Sequence, residues 1–357
     1  MHEILQPSDL FTEPELPYIS VVIPVRCELA GLSLLLPELM NQDYPAHRWE
    51  IIVADGESTD RTPELVRQFA QNASIPIRLL RNKGIRSSAG RNVGILAAQG
   101  DIIVFIDGHC RVPSRSLLSK TAQIFRETGA DCLCRPQPLG GSPAHPMSGY
   151  IAEIRRSTFG HGRGSMIYNV DFAGFVDPRS SGASYRRSVF EQIGLYDECF
   201  DACEDVELNA RVAQYGMQAY TDPSLAIEYQ ARNSFFALAK QMMRYGRGRL
   251  RLARKHHGER SLSSLAPFVL CLSFVAPLLL MTNGLLMRIS MIPALLYMAA
   301  VLVATLQLVV RTRRIQLAWG LIIYPLIHLS LGAGMLMEAA SLCLRAPHGW
   351  VSRQEIE

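Results

Sequence analysis

Short apolar runs alternate with amphipathic stretches along the first part of the chain. The apolar runs predict strands at 19–24, 50–55, 77–80, 102–106 and 131–134. Residues with helical periodicity lie between them, at 29–41, 60–70, 88–98 and 114–127. This alternation predicts an α/β domain built on a mostly parallel, doubly wound sheet. The hydrocarbon run 102–106 predicts a strand that is buried on both faces.

The alternation stops near Pro136. Residues 136–186 are rich in Gly, Ser and Pro, which predicts ordered loops with one helix near 149–157. A capped helix is predicted from Glu204 to Tyr215, and a basic amphipathic helix from Phe235 to Lys255.

Three long runs near the C-terminus contain no charged residue, and they are 262–287, 289–310 and 315–337. Each run is long enough to cross the hydrocarbon core of a bilayer, which needs about 20 residues. The alternative is a set of buried helices in a soluble domain. Three consecutive runs, separated by Arg288 and by residues 311–314, favour membrane helices. The sequence therefore predicts three transmembrane spans.

The net charge of +4 at pH 7 is concentrated beside these runs. Lys and Arg cluster at 240–260 and at 311–314, so both segments are predicted to face the cytoplasm. Residues 1–17 are acidic and proline-rich and lack the apolar core of a secretory signal. No aromatic repeat accompanies the basic charge, which predicts contact with membrane lipids and not with nucleic acid.

Asp107 and His109 follow the predicted strand that ends at Ile106. Open α/β sheets bind their ligands beyond the carboxyl ends of the strands. A carboxylate and a neutral imidazole nitrogen suit a divalent cation and its phosphates. The two residues therefore predict a metal site at this edge of the sheet.

Asp55 ends the second predicted strand at the same edge, where its carboxylate can accept from a base N–H or a ribose hydroxyl. The alternative is a simple turn followed by a helix cap at Asp60. Lys83 and Arg91 bracket the start of the third predicted helix, and such a position suits a diphosphate. A solvated basic face explains them equally well. The chain has no G-x-G-x-x-G and no P-loop, which counts against a dinucleotide or ATP site.

Three further segments carry residues that could bind a substrate or remove a proton. The first is a small-residue turn with Gly182 and Ser184. The second is the start of a predicted helix, with Glu204 and Asp205. The third is one face of the basic helix, with Gln241 and Arg244. An ordinary β-turn explains the first segment, and acids are common in the first turn of any helix. An acid at that position can also act as a general base.

The ordered set of motifs resembles the family 2 glycosyltransferases, which have the GT-A fold. The motifs follow the family's order and approximate spacing, and they are Ile23-Pro24-Val25-Arg26-Cys27-Glu28, Asp55-Gly56-x-Ser58-x-Asp60, Lys83-Gly84, Arg91-Asn92-x-Gly94, Asp107-x-His109, Glu204-Asp205 and Gln241-x-x-Arg244-Tyr245. The Asp-Gly-His triplet, the three apolar runs and residues 244–249 look most like the succinoglycan exopolysaccharide glucosyltransferase branch, called ExoA-like.

The resemblance implies a role for each motif. The residues implied to bind the donor, a UDP-sugar, are Pro24, Glu28, Asp55, Lys83, Arg91 and Asp107. The residues implied to lie near the acceptor or the diphosphate are Gly182, Ser184, Gln241 and Arg244. Asp107 is further implied to help bind Mg²⁺ or Mn²⁺, with His109 as a second candidate ligand. Asp205 is implied to be the base that deprotonates an acceptor hydroxyl, with Glu204 beside it.

The chain departs from the family's pattern at two positions. The family usually has a second acid where this chain has His109, which could bind a softer ion such as Mn²⁺, contact phosphate directly, or only pack. The family's Gln-x-x-Arg-Trp, associated with processive synthases, carries Tyr245 here. Three spans are also few for a polymer channel. We therefore expect the transfer of one sugar per encounter.

The implied function is inverting transfer of a hexose, glucose by the branch resemblance, from a UDP-sugar to a polyprenyl diphosphate-linked saccharide in exopolysaccharide biosynthesis. The implied location is the bacterial inner membrane, with several spans and a cytoplasmic catalytic domain. The alternatives are transfer to polyprenyl phosphate itself and a catalytically silent UDP-sugar-binding membrane scaffold. The expected domains are an N-terminal extension at 1–18, a GT-A domain at 19–240, a basic interfacial helix at 241–260, a membrane region at 261–345 and a tail at 346–357.

Overall fold

The computed structural model describes residues 16–141, 145–161, 167–180, 182–256 and 262–344. Nearly all of the expected N-terminal extension and the whole tail at 346–357 lie outside these residues. The chain forms two compact units. The first unit comprises the residues up to 136 with 169–196 and 211–227, and the second comprises 137–168, 197–210 and the chain from 228 onward.

The strands and helices follow in chain order. The strands are β1 (Ile19–Val25), β2 (Trp49–Asp55), β3 (Ile77–Arg81), β4 (Ile102–Phe105), β5 (Cys110–Arg111), β6 (Cys132–Cys134), β7 (Leu139–Gly140), β8 (Gly174–Val176), β9 (Gly182–Arg186), β10 (Ala219–Thr221) and β11 (Glu228–Gln230). The helices are α1 (Leu29–Met40), α2 (Thr62–Asn72), α3 (Ser87–Ala97), α4 (Leu117–Thr128), α5 (Pro146–Arg156), α6 (Thr158–His161), α7 (Arg187–Ile193), α8 (Glu204–Gln214), α9 (Phe235–Lys255), α10 (Leu262–Leu279), α11 (Gly284–Thr312) and α12 (Gly320–Leu344).

The first unit is built on an eight-stranded sheet in the order β3-β2-β1-β4-β9-β6-β10-β8. Its first four strands are parallel, and every residue of β1, β2 and β4 is buried. The predicted α/β fold with a mostly parallel sheet is therefore confirmed. Strands this apolar are stable only when helices cover both faces of the sheet.

The prediction of a loop and turn is wrong for 182–187, and Ser181 lies outside the described residues. Residues 182–186 form β9, which lies between β4 and β6 and is antiparallel to both. Ser184 is 3% exposed and Tyr185 is fully buried. The sequence gives no long apolar run here, because neighbouring strands on both sides supply the burial and the hydrogen bonds. The short strand therefore needs only small or aromatic side chains.

The second unit consists mainly of helices. Its buried core joins α5, α9, α11 and α12 through side chains that include Ile151, Leu238, Val301 and Ile323. The basic helix α9 begins at Phe235 and ends at Lys255, as predicted, and packs along α12. Ser234 caps α9, since its hydroxyl accepts from the backbone N–H of Ala237 at 3.2 Å.

Two helical segments are long and apolar enough to cross a membrane by length and composition, Gly284–Thr312 and Ile315–Leu342. The predicted boundary between the first two spans is wrong. The first run is interrupted, because α10 ends at Leu279 and the Asn283 side chain caps α11 by accepting from the N–H of Leu286 at 3.1 Å. Helix α11 then continues through Arg288, so this arginine lies within a helix and not between two spans.

Candidate functional site

The carboxyl ends of β1, β2 and β4 meet at one edge of the sheet, because these strands are parallel and in register. Pro24 in β1 lies opposite Ala54 in β2, and Asp55 is the last residue of β2. Asp107 follows the end of β4 by two residues. The sheet therefore brings these three predicted donor residues to the same edge.

Asp55 organises the turn that follows β2. Its Oδ2 accepts from the backbone N–H of Ser58 at 3.1 Å, and its Oδ1 accepts from the Ser58 hydroxyl at 2.5 Å. Ser58 Oγ in turn accepts from the backbone N–H of Cys27 at 2.8 Å, and Cys27 has a left-handed φ of 55°. Asp55 thus joins the turn after β2 to the loop after β1.

Glu28 and His109 face each other across two of these loops. Glu28 stands immediately before α1, and its backbone N–H donates to Thr62 Oγ1 at 3.0 Å. Its Oε1 lies 3.4 Å from Nδ1 of His109. A donor-binding candidate and a metal-ligand candidate are therefore neighbours at the same edge of the sheet.

Arg91 and Asp107 form an ion pair. Arg91 Nη2 donates to Asp107 Oδ1 at 3.0 Å, and the guanidinium lies over the rings of Phe105 and Tyr196 at 5.8 and 5.4 Å. Burial raises the pKa of Asp107, but the charges of Arg91 and His109 outweigh it and hold that pKa below the ordinary value of 3.8. Asp107 is therefore ionised at neutral pH.

Arg135 is a further cation at this edge, and it belongs to none of the predicted motifs. It follows β6, donates from Nη2 to the Phe105 carbonyl at 2.6 Å, and its charge helps to lower the pKa of Asp107. Only 3% of Arg135 is exposed. The signal was present, because Arg135 follows a short apolar strand in the way that Asp107 does.

Three other predicted residues occupy different positions in the first unit. Lys83 is exposed in the turn between β3 and α3. Gly182 and Ser184 lie in β9, where Ser184 is opposite Val104 of β4 and Leu133 of β6. Ser184 is therefore part of the buried sheet.

The second unit places Glu204 and Asp205 in the first turn of α8, as predicted. Asp205 Oδ1 accepts from the backbone N–H of Val206 at 2.9 Å. The preceding Cys203 has a left-handed φ of 61°, and its Sγ donates to the Tyr245 carbonyl of α9 at 3.8 Å. Burial raises the pKa of Cys203 to about 12, so this thiol is neutral. The start of α8 is therefore fixed against α9.

Arg244 and Arg251 of α9 hold the segment that leads into α8. Arg244 Nη2 donates to the Asp201 carbonyl at 2.5 Å. Arg251 Nη1 donates to the Cys199 carbonyl at 3.0 Å and to Asp201 Oδ1 at 2.8 Å. In this structure Arg244 thus supports the segment that carries Asp205.

Gln241 belongs to a buried polar cluster. Its Oε1 accepts from Arg155 Nη1 at 3.2 Å, and its Nε2 donates to the hydroxyls of Tyr229 and Tyr245 at 3.4 and 3.3 Å. No sequence motif singles out Arg155, although it lies four residues after the buried Ile151 on the same face of α5.

No group of three or more His, Cys, Asp or Glu side chains within the described ranges could hold a metal ion alone. Asp107, with His109 two residues later, provides at most part of a coordination shell. A divalent cation here would need further oxygen ligands, and a diphosphate and water can supply them. The residues present therefore fit a cation that binds together with a donor diphosphate.

Comparison with known proteins adds to this geometry. Residues 20–194 match the family model described as Glycosyl transferase family 2. The chain is also similar to the dolichyl N-acetyl-alpha-D-glucosaminyl phosphate 3-beta-D-2,3-diacetamido-2,3-dideoxy-beta-D-glucuronosyltransferase of Methanococcus voltae. The two are 27% identical over 303 residues, and this alignment covers 83% of this chain and 89% of the relative.

Two further similarities cover most of the chain. It is 27% identical over 265 residues to the succinoglycan biosynthesis protein ExoA of Rhizobium meliloti, covering 74% of this chain and 78% of that protein. The structure is similar to the mannosyltransferase PcManGT of Pyrobaculum calidifontis, solved with GDP-Man and Mn²⁺, with a TM-score of 0.59 and 17% identity over 92% of this chain and 88% of that chain. The latter similarity shows a shared GT-A fold.

Proposed function

The chain is a family 2 glycosyltransferase, and we propose that it transfers a hexose from a UDP-sugar to a lipid-linked saccharide with inversion at the anomeric carbon. Glucose is the proposed hexose, and cell-surface polysaccharide biosynthesis is the proposed setting. The observation that carries the proposal is Asp107, an ionised carboxylate at the end of β4 with Arg91 and Arg135 beside it. Cations at a strand end suit the diphosphate of a nucleotide donor.

The proposed reaction is a direct displacement. The acceptor hydroxyl oxygen forms a bond to the anomeric carbon, the bond from that carbon to the donor phosphate breaks, and its electron pair leaves with the diphosphate. Asp205 takes the proton from the acceptor hydroxyl, and general-base catalysis of this kind contributes roughly 10²–10⁴-fold. Glu28 and Asp55 contact the nucleoside, and Lys83 and Arg91 lie toward the ribose or diphosphate.

We propose Asp107 and His109 as the residues that hold Mg²⁺ or Mn²⁺. A bound cation would offset the negative charge that develops on the leaving diphosphate. The ion pair with Arg91 keeps the Asp107 carboxylate in place for this role.

A lipid-linked acceptor agrees with two features. The relative from Methanococcus voltae is named as acting on a dolichyl phosphate-linked sugar. The chain also has two helical segments that meet the length and composition of membrane spans. We propose a multi-pass protein of the bacterial inner membrane, with the catalytic domain in the cytoplasm and α9 near the lipid headgroups.

The test of the proposed function is a transfer assay with radiolabelled UDP-sugars and membrane lipid extracts. Asp205→Asn should reduce transfer by at least about 100-fold while UDP binding stays at the wild-type level. Asp43→Asn is the matched control, because Asp43 is an exposed surface carboxylate paired with the exposed Arg115. Unchanged turnover in Asp205→Asn would rule out the proposed base. Product formed with polyprenyl phosphate alone would assign the alternative acceptor.

A further inference from the structure

Arg155 is a nearly buried cation whose direct contacts are neutral groups. It is 7% exposed on α5, inside the second unit. Its Nη1 donates to the amide oxygen of Gln241 at 3.2 Å, and its guanidinium lies 5.8 Å from the centre of the Tyr245 ring. Within the described ranges, none of its ion pairs or hydrogen bonds is to a carboxylate. Buried charges are normally paired with an opposite charge, so Arg155 is a candidate to bind an anion.

The tyrosines around Arg155 do not balance its charge. Burial is the main reason that the pKa values of Tyr168 and Tyr245 are raised, so both phenols are neutral near pH 7. Arginine is protonated throughout this range. The cluster of Arg155, Gln241, Tyr168 and Tyr245 therefore carries a net positive charge.

Gln241 is fully engaged within this cluster. Arg155 donates to its amide oxygen, and its amide nitrogen donates to Tyr229 and Tyr245. Its hydrogen bonds therefore fix the orientation of Arg155 and Tyr245. Of the two groups, the guanidinium is the one with the further N–H donors and the charge to hold a ligand.

The cluster lies beside the proposed base. Cys203, two residues before Asp205, donates from Sγ to the Tyr245 carbonyl at 3.8 Å, and the charge of Asp205 adds to the effect of burial in raising the pKa of Tyr245. The Arg155 guanidinium also lies over the Tyr245 ring, 5.8 Å from its centre. Tyr245 therefore contacts both the buried cation and the segment that carries Asp205, within the second unit.

The helix that carries Arg155 packs against a candidate membrane span. Just after α5, the Ser157 hydroxyl is 2.8 Å from the Tyr324 hydroxyl of α12, and the Phe159 ring meets the Tyr324 ring edge-on at 5.0 Å. His328 Nε2 lies 3.1 Å from the Phe159 carbonyl. The residues just after Arg155 therefore pack on Ile315–Leu342, one of the two candidate membrane spans.

We propose that Arg155 binds a phosphate group of the substrate, as the anion site for the phosphate of the lipid-linked acceptor. This inference rests on the proposed function for the identity of the acceptor. A guanidinium can donate two parallel N–H bonds to phosphate oxygens, which a single point charge cannot do. The donor diphosphate has the same chemistry, and the experiment distinguishes the two sources.

The test uses the full chain in nanodiscs of phosphatidylcholine, with farnesyl diphosphate, farnesol and UDP as probes in calorimetric titrations. Arg155→Met should weaken binding of farnesyl diphosphate by about 10–100-fold and leave UDP binding unchanged. Arg156→Met is the matched control, because Arg156 follows on the same helix, has a 44% exposed side chain and pairs with Glu153. This control should bind all probes as the wild type does, and farnesol should bind all variants equally.

The outcomes separate the sources and the failures. Loss of UDP binding alone would assign the phosphate to the donor. Wild-type affinity of Arg155→Met for both phosphate probes would overturn the proposal. If Arg155→Met does not fold, Arg155→Lys replaces it and should bind farnesyl diphosphate about 3–10-fold more weakly than the wild type. Wild-type affinity of Arg155→Lys would then overturn the proposal. If the wild type transfers no sugar but loses farnesyl diphosphate binding when Arg155 is replaced, the proposed function fails and the anion site at Arg155 stands.

Discussion

Arg91 Nη2 lies 3.0 Å from Asp107 Oδ1, and the two residues come from different elements of the first unit, α3 and the segment after β4. The side chain of Arg91 is 10% exposed and that of Asp107 is 30% exposed. The ion pair therefore combines a role in folding with a role at the proposed donor site. It holds the carboxylate ionised beyond the carboxyl ends of the strands, where open α/β sheets bind their ligands.

Replacing Arg91 with Met should make activity more sensitive to acid. The folded-state pKa of Asp107 lies below 3.8, so its stabilising charge is present above that value and is lost as the pH falls through the lower, folded-state pKa. Without Arg91, the charges of His109 and Arg135 are left to oppose burial, so the pKa of Asp107 should rise. We expect the acid limb of kcat/KM to move to higher pH, with Arg91→Lys intermediate. The measurement is a pH–rate profile, and an unmoved acid limb in Arg91→Met would contradict this role.

Removal of divalent metal should reduce transfer, because the proposed cation offsets charge on the leaving diphosphate. EDTA should lower turnover, and added Mn²⁺ or Mg²⁺ should restore it. His109→Ala should weaken activation by Mn²⁺ more than activation by Mg²⁺, since imidazole suits the softer ion. Metal titrations of the initial rate check this prediction. Full turnover in EDTA would show that the reaction needs no cation.

Loss of the Glu338 carboxylate should destabilise the packing of α9 on α12. Glu338 has a 6% exposed side chain and accepts from Arg251 Nε at 2.8 Å and from Arg247 Nε at 3.1 Å. Glu338→Gln should lower the free energy of unfolding by about 1–3 kcal/mol, measured by thermal unfolding in detergent.

Glu153 is the control for this change. Its side chain is 26% exposed and pairs with the more exposed Arg156 and Arg314. Glu153→Gln should change the free energy of unfolding by less than about 1 kcal/mol. Equal effects of the two substitutions would show that the Glu338 pairs add nothing beyond a surface contact.

The close approach of α9 and α12 should not tolerate a side chain at Gly334. A Cβ there would overlap with the Met243 carbonyl of α9. Gly334→Ala should therefore destabilise the chain by about 1–3 kcal/mol. Gly149→Ala should have the opposite effect on stability, because a Cβ at that position of α5 meets no atom within 4 Å. Alanine there is expected to stabilise the helix by about 0.5–1 kcal/mol. Thermal unfolding of both variants checks the prediction, and a stabilised Gly334→Ala would contradict it.

The sequence predicted the parallel half of the sheet closely. Strands β1, β2 and β4 are mostly apolar and are followed or ended by polar residues, so each carries its own signal. Strand β9 carries no such signal, because it gains its burial from β4 and β6, which are distant in the sequence. A pattern that depends on neighbours along the chain does not detect a strand of this kind.

The candidate site divides in the same way. Asp55 and Asp107 could be predicted because the ends of parallel strands must meet at one edge. Which arginine of a consecutive pair is buried depends on the rotation of α5 against its neighbours, so Arg155 and Arg156 were not distinguished. The break between α10 and α11 was also missed, since Asn283 is uncharged and lies inside an apolar run.

The sequence by itself determined the α/β fold, the polar residues at the strand ends, the basic helix and the apolar C-terminal region. Each of these follows from local patterns of polarity, because apolar residues are buried whichever element of the fold covers them. Only the tertiary structure decided that Arg91 pairs with Asp107, that β9 enters the sheet, and that Arg155 joins Gln241 and Tyr245. These contacts link residues far apart in the chain, and their geometry is set by packing.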